Sequence, residues 1–91
     1  MQGVSLPKID LVEAILQGID LQKSNLQEGE FMDAIFEGAN LSGADLSNAN
    51  LEGANLSHAD LSQTTLVAAN LKGVNLKGAN LSGALLQGAT F

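Results

Sequence analysis

Residues 39–63 read ANLSG ADLSN ANLEG ANLSH ADLSQ, five consecutive five-residue units with Ala first and Leu third in each. The frame extends without insertion in both directions. The Leu column holds 18 positions, from Leu6 to Phe91, filled by 15 Leu and by Phe31, Phe36 and Phe91. Two residues before it lies a small-residue column, Ala at 11 of 18; between the two, Asn or Asp stands at 11 of 18. In the column two residues after it, which runs from Gly3 to Gly88, Gly fills 9 of 18 positions. A period of five advances about 72° per residue, against about 100° for a helix and 180° for a strand. A helix would scatter these leucines around its whole circumference. The five-residue unit must therefore turn the chain itself.

Within a unit, the small residue and the Leu are two apart and point the same way, as in a short extended segment. The next two residues make the turn, and Gly at the second of them suits the positive φ of a type II turn. One corner per unit and four per circuit give a square coil of about 20 residues, so the chain makes about 4.5 coils. At the inter-strand spacing of about 4.8 Å, the stack is about 22 Å long. Leu and Ala fill its narrow interior. The exceptions inside are Ser24 and Thr64, which are polar, and Gly29, whose missing side chain makes room for Phe31.

The units ANLSG at 39–43, ADLSN at 44–48, ANLEG at 49–53 and ADLSQ at 59–63 resemble the pentapeptide-repeat family, and the resemblance covers essentially all 91 residues. It implies an all-β fold, a right-handed quadrilateral β-helix. The expected organisation is one domain over residues 1–91, with 1–7 irregular and no C-terminal capping helix. Residues 8–17 admit a competing reading as an amphipathic helix, with Ser5 as N-cap and Pro7 in its first turn. The five-residue register runs through them unbroken, which favours the coil.

Composition narrows function by exclusion. Ten Asp plus Glu against 4 Lys give a net charge of −6, the wrong sign for a general nucleic-acid binder. Three Phe and no Trp or Tyr make a base-stacking platform implausible. No Cys is present, which removes disulfides and thiolate chemistry. No run of 18 apolar residues and no basic, apolar N-terminal leader is seen, so a cytoplasmic location is expected.

Residues 20 apart stack, which turns the sequence into a surface map. Asp10, Glu13, Glu30, Asp33 and Glu52 fall on one side, with Glu37 adjoining. This acidic face is one candidate partner-binding surface, and a solvated surface that keeps the protein soluble is the plain alternative. Charge is lopsided along the axis: residues 1–52 hold nine acids and two Lys, whereas residues 53–91 hold Asp60, Lys72 and Lys77. Beside the acids, Val12 stacks on Met32 and Ile15 on Ile35 around one corner, an outward apolar patch of the kind that marks contact sites. The first coil carries Pro7, Lys8, Asp10 and Glu13, expected to discourage further pairing at that end. The last coil has no Pro, Asp or Glu, and its ring of Leu76, Leu81, Leu86 and Phe91 is the expected interface of a homodimer or end-to-end stack.

Catalysis has no support. His58 is the sole His, and Ser57 and Asp60 lie near it only because every unit carries such residues. A nucleophile needs a base and an orienting group held in a cleft, and a convex stack offers none. A stacked pair such as Glu13 and Asp33 supplies too few oxygens for a tight Ca²⁺ site. No enzyme activity, cofactor, metal or membrane is expected. The Asn-Leu-Ser sequons at Asn40, Asn55 and Asn80 follow from the repeat itself. The reading is a non-catalytic protein-interaction or structural module with an unidentified protein partner. The resemblance implies an alternative: acidic members of that family mimic DNA, bind DNA gyrase or topoisomerase and affect quinolone susceptibility.

Overall fold

A folded backbone must find a partner for each of its N–H groups, and most interior units solve this in one way. In the computed structural model, which describes residues 1–91, the unit around Leu51 is representative. Leu51 N donates to Asn70 O and Gly53 N to Lys72 O, both at 2.8 Å and both in the following coil. Asn50 N donates back to Gly29 O of the preceding coil at 2.9 Å. Ala54 N closes the corner on Leu51 O at 2.9 Å. The fifth donor, Glu52 N, reaches no carbonyl. It is taken by Oδ1 of Asn50 at 3.1 Å.

These bonds set the register. Parallel bridges join residues 20 apart, from Ser5↔Asn25 to Asn70↔Thr90. Four sides result. Face 1 is centred on Leu6, Leu26, Leu46, Leu66 and Leu86; face 2 on Leu11, Phe31, Leu51, Leu71 and Phe91; face 3 on Leu16, Phe36, Leu56 and Leu76; face 4 on Leu21, Leu41, Leu61 and Leu81. The corner hydrogen bond with positive φ at the third turn residue is a type II turn. That residue has φ of 59–74° at all 18 turns, although only 9 of them are Gly. The left-handed region is costly for a residue with a Cβ. It is held here by the forward ladder bond of that residue's own N–H, as in Lys23 N to Ser42 O at 2.9 Å.

The core is a column of fully buried side chains from Leu21 to Leu71, lined by Ala34, Ala39, Ala44, Ala49, Ala54, Ala59 and Ala69. Phe31 and Phe36 meet edge to face with ring centroids 5.4 Å apart. A Cβ on Gly29 would fall 2.7 Å from Phe31 Cζ and closer still to Cε2. The glycine therefore supplies the volume that the ring occupies. The two polar core residues are satisfied: Thr64 Oγ1 donates to Leu41 O at 2.8 Å, and Ser24 Oγ accepts from Val4 N at 3.3 Å.

The molecule measures 27 × 26 × 23 Å. The three dimensions are nearly equal, so the stack is a block rather than a rod. Residues 8–17 form no helix and follow the coil, with Glu13 N on Met32 O at 2.8 Å. The opening residues are in register too, with Gly3 N on Gln22 O and Leu6 N on Asn25 O, both at 2.8 Å. The expectation for Pro7 is corrected. It stands at the one unit position whose N–H never joins the ladder, so its missing donor removes no pairing.

Candidate functional site

Corners are where two outward residues follow each other, and the corner between faces 2 and 3 gathers most of the predicted surface residues. Across the first rung, the outward side chains run Asp10, Val12, Glu13, Ile15, Gln17. On the rung below they run Glu30, Met32, Asp33, Ile35, Glu37. Parallel bridges pair Asp10 with Glu30 and Ile15 with Ile35. The result is a set of narrow stripes, acidic and apolar by turns, two rungs deep. Ile15 is 74% exposed and Val12 44%, while Met32 and Ile35 are half-buried beneath them.

The carboxylates differ in what holds them. Asp10 Oδ1 accepts from Val12 N at 3.2 Å, and Glu37 Oε1 from Gln17 Nε2 at 3.0 Å. Glu52 Oε1 lies 3.5 Å from Asn70 Nδ2. Glu13 and Glu30 have no hydrogen-bonded partner in the chain, and Asp33 folds over Gly53, where a Cβ would collide with its Oδ1. Farther along this corner, the stack Val12, Met32, Glu52 ends in Lys72, and at the far edge of face 3 the stack Gln17, Glu37, Ser57 ends in Lys77. The acidic character is confined to the N-terminal part.

The sequence showed the Asn/Asp column but not its work. All 11 of those residues accept a hydrogen bond from the N–H two positions on, at 2.9–3.2 Å. This is an Asx turn, the local bond for which Asn and Asp are suited. The three sequon asparagines, Asn40, Asn55 and Asn80, are spent in this way. Seven positions of the column hold another residue. Ser5 precedes Pro7, which has no N–H to cap, and Thr90 is followed by Phe91 alone. Ile15, Glu30, Ile35, Thr65 and Leu85 leave the N–H of Gln17, Met32, Glu37, Val67 and Gln87 without an acceptor in the chain. Three of the five, those of Gln17, Met32 and Glu37, border the striped surface. The signal was readable in the sequence as a cluster of exceptions in one column.

Two carboxyls are held below the usual range. Asp60 is lowered by the Ser62 hydroxyl at 2.6 Å and then by Ser62 N at 2.9 Å. Asp20 is lowered by Gln2 Nε2 at 3.0 Å, then by Gln22 N at 3.2 Å. Neither lies on the striped corner. Ser57 donates its hydroxyl to Asn55 Oδ1 at 2.6 Å, while the His58 ring lies over Gly78, where an added Cβ would sit 2.6 Å from Nδ1. The two side chains thus point to separate partners. The surface has no pocket, and nowhere do three Asp, Glu or His side chains converge as a metal ion would require. In the last coil Leu76, Leu81 and Leu86 are half-buried and Phe91 is 68% exposed. The first coil is alike, with Leu6, Leu11 and Leu16 half-buried. No helix is long and apolar enough to cross a membrane.

The family model for pentapeptide repeats matches residues 14–53 and 54–91 in eight copies. Among solved structures, the chain is similar to the pentapeptide repeat protein Rfr23 of the cyanobacterium Cyanothece 51142, at 34% identity and TM-score 0.97, covering 100% of this chain and 63% of that one. It is similar to alr5209, a pentapeptide repeat protein of Nostoc PCC 7120, at 40% identity and TM-score 0.85, covering 87% and 65%. A pentapeptide repeat protein of the Arabidopsis thaliana thylakoid lumen matches at 33% identity and TM-score 0.56, over 99% and 65%. The chain thus spans slightly less than two thirds of the length of each. No curated protein sequence matches. The superposition on Rfr23 fixes the hand of the coil as right-handed. Five-residue register, four faces and sequence match agree, and the chain belongs to the pentapeptide-repeat family.

Proposed function

We propose that this protein is a non-catalytic interaction module whose contact surface is the striped corner between faces 2 and 3. The observation that supports the reading is the exposure of Ile15 and Val12 over Ile35 and Met32, bounded by Asp10, Glu13, Glu30, Asp33 and Glu37. Apolar groups left in water inside a charged rim are characteristic of contact sites. A reaction would need a concave site with converging groups, and the surface holds no pocket. The DNA-mimic reading asks for negative charge along the whole length of the stack, since duplex DNA carries a charge about every 1.7 Å of its axis. Here Lys72 and Lys77 close the acidic corner, which favours a protein contact.

The test is site-specific photocrosslinking from positions 12 and 32 in cells of the source organism, with a crosslinker at position 62 on face 4 as control. A discrete adduct from the corner, absent from position 62 and lost in an Ile15→Asn/Ile35→Asn background, is the expected result. Equal labelling from both faces would overturn the reading.

A further inference from the structure

The stripes constrain the chemistry of a partner as well as its place, a constraint that rests on the corner being the contact surface. Three features coincide there. Apolar pairs alternate with carboxylate pairs along the direction of the chain. Glu13 and Glu30 are not engaged by any group of the protein, and Asp33 only overlies a glycine. Three backbone N–H groups, of Gln17, Met32 and Glu37, have lost the acceptor that Asn or Asp supplies elsewhere. Each lost cap costs stability, and local rules are most often broken at functional sites. A partner matched to this surface offers alternate apolar and cationic side chains, together with carbonyl oxygens for the free N–H groups. We infer that the corner binds an extended, basic peptide segment with Lys or Arg alternating with aliphatic residues on one side.

The competing occupant is a second copy of this chain. Seating the apolar pairs of two copies on each other brings their flanking carboxylates together, and like charges in an interface are unfavourable. A flat, rigid surface fits poorly as well, because the stripes wrap around a corner. An extended peptide bends with it. Its same-side residues alternate at about 6.8 Å, twice the rise of a strand, and its own backbone carbonyls lie between them.

The probe is a synthetic fluorescent peptide with Lys and Leu alternating at every second position and Ser between, titrated into the protein and read by anisotropy. Two controls replace every Leu by Ser, or every Lys by Glu. The expected result is saturable binding of the Lys/Leu peptide alone, weakened several-fold between about 0.05 and 0.5 M salt by screening. Ile15→Asn and Ile35→Asn should each weaken it about tenfold, with a melting temperature at or above that of the parent. Glu13→Gln/Glu30→Gln should reduce the salt dependence. Equal binding of the Ser control or of the Glu control overturns the inference, as does the absence of binding at millimolar peptide. If the corner crosslinks a partner in cells while the peptide fails, the surface stands and its basic-peptide specificity falls.

Discussion

The coils up to residue 40 and those beyond it share one backbone, yet they use the repeat differently. From 41 to 84 the Asn/Asp column is broken once, at Thr65, and the small column is Ala except for Thr64 and Val74. Before residue 40 the small column holds Val4, Ile9, Ile19, Ser24 and Gly29, two Phe enter the core column, and the cap is missing at Ile15, Glu30 and Ile35. The ladder bonds stay between 2.7 and 3.0 Å in both regions, from Leu16 N on Ile35 O to Leu66 N on Leu85 O. The ladder and the Leu column therefore define the fold. The other columns tolerate exchange, provided that neighbours compensate inside and the loss outside is put to use.

The largest test of this contrast is in the core. Phe36→Ala should cost about 3–5 kcal/mol in denaturant unfolding, the usual toll for a buried Phe. Leu56→Ala, one coil on, should fall in the range of about 2–5 kcal/mol. A Phe36 cost below that of Leu56 would show that the edge-to-face pair is not packed as described.

A sharper test uses one column and one small change. Gly29→Ala should destabilise by about 1–3 kcal/mol through overpacking, because the new methyl enters the space of the Phe31 ring. In a Phe31→Leu background the same substitution should become nearly neutral. At Ala49, which has no such ring beside it, the reverse change Ala49→Gly should itself cost about 1 kcal/mol, from lost burial and backbone entropy. A double-mutant cycle at 29 and 31 with no coupling would refute the compensation.

Outside the core the sign of the effect should differ along one stack. Asn55→Ala removes the cap on Ser57 N, at 3.0 Å, and should lower stability by about 1 kcal/mol. Ile35→Asn, one rung before it on face 3, creates a cap for Glu37 N and should raise stability by a few tenths to about 1 kcal/mol. The melting temperatures of the two variants should move in opposite directions. Destabilisation by Ile35→Asn would mean that its packing against Ile15 outweighs the missing bond.

Much of the fold was legible because the repeat is a direct statement of geometry. A five-residue period fixes the corner, the Leu column fixes the inside, and Gly at half the turns announces positive φ. The exchange between Gly29 and Phe31 was visible for the same reason. The surface was legible as a set of stacked residues and no further. The work of Asp10 or Asn50 depends on one N–H that faces neither neighbouring coil, and this becomes clear only when every donor has been traced. Pro7 was misread on the same ground: a proline removes a ladder bond only where the ladder uses that donor.

The smallest expected effect compares two carboxyls, one in each region. Both Asp20 and Asp60 have folded pKa values below the ordinary one. Each therefore adds stability that is fully present above the unfolded value of about 4 and is lost as the pH falls through the lowered folded value. The donors differ. Those to Asp60, the Ser62 hydroxyl and N–H, lie within its own unit. The leading donor to Asp20 is Gln2, almost a full coil away. Gln2→Ala should therefore raise the Asp20 titration midpoint, followed by carboxyl carbon NMR, and leave Asp60 where it is. Ser62→Ala should raise Asp60 alone. Asp60→Asn keeps the capping oxygen and removes the titration, so parent and variant should differ most in the pH dependence of stability below about pH 4. If Gln2→Ala left Asp20 unmoved, its depression would come from the local Asx turn, and the two regions would hold their carboxylates in the same way.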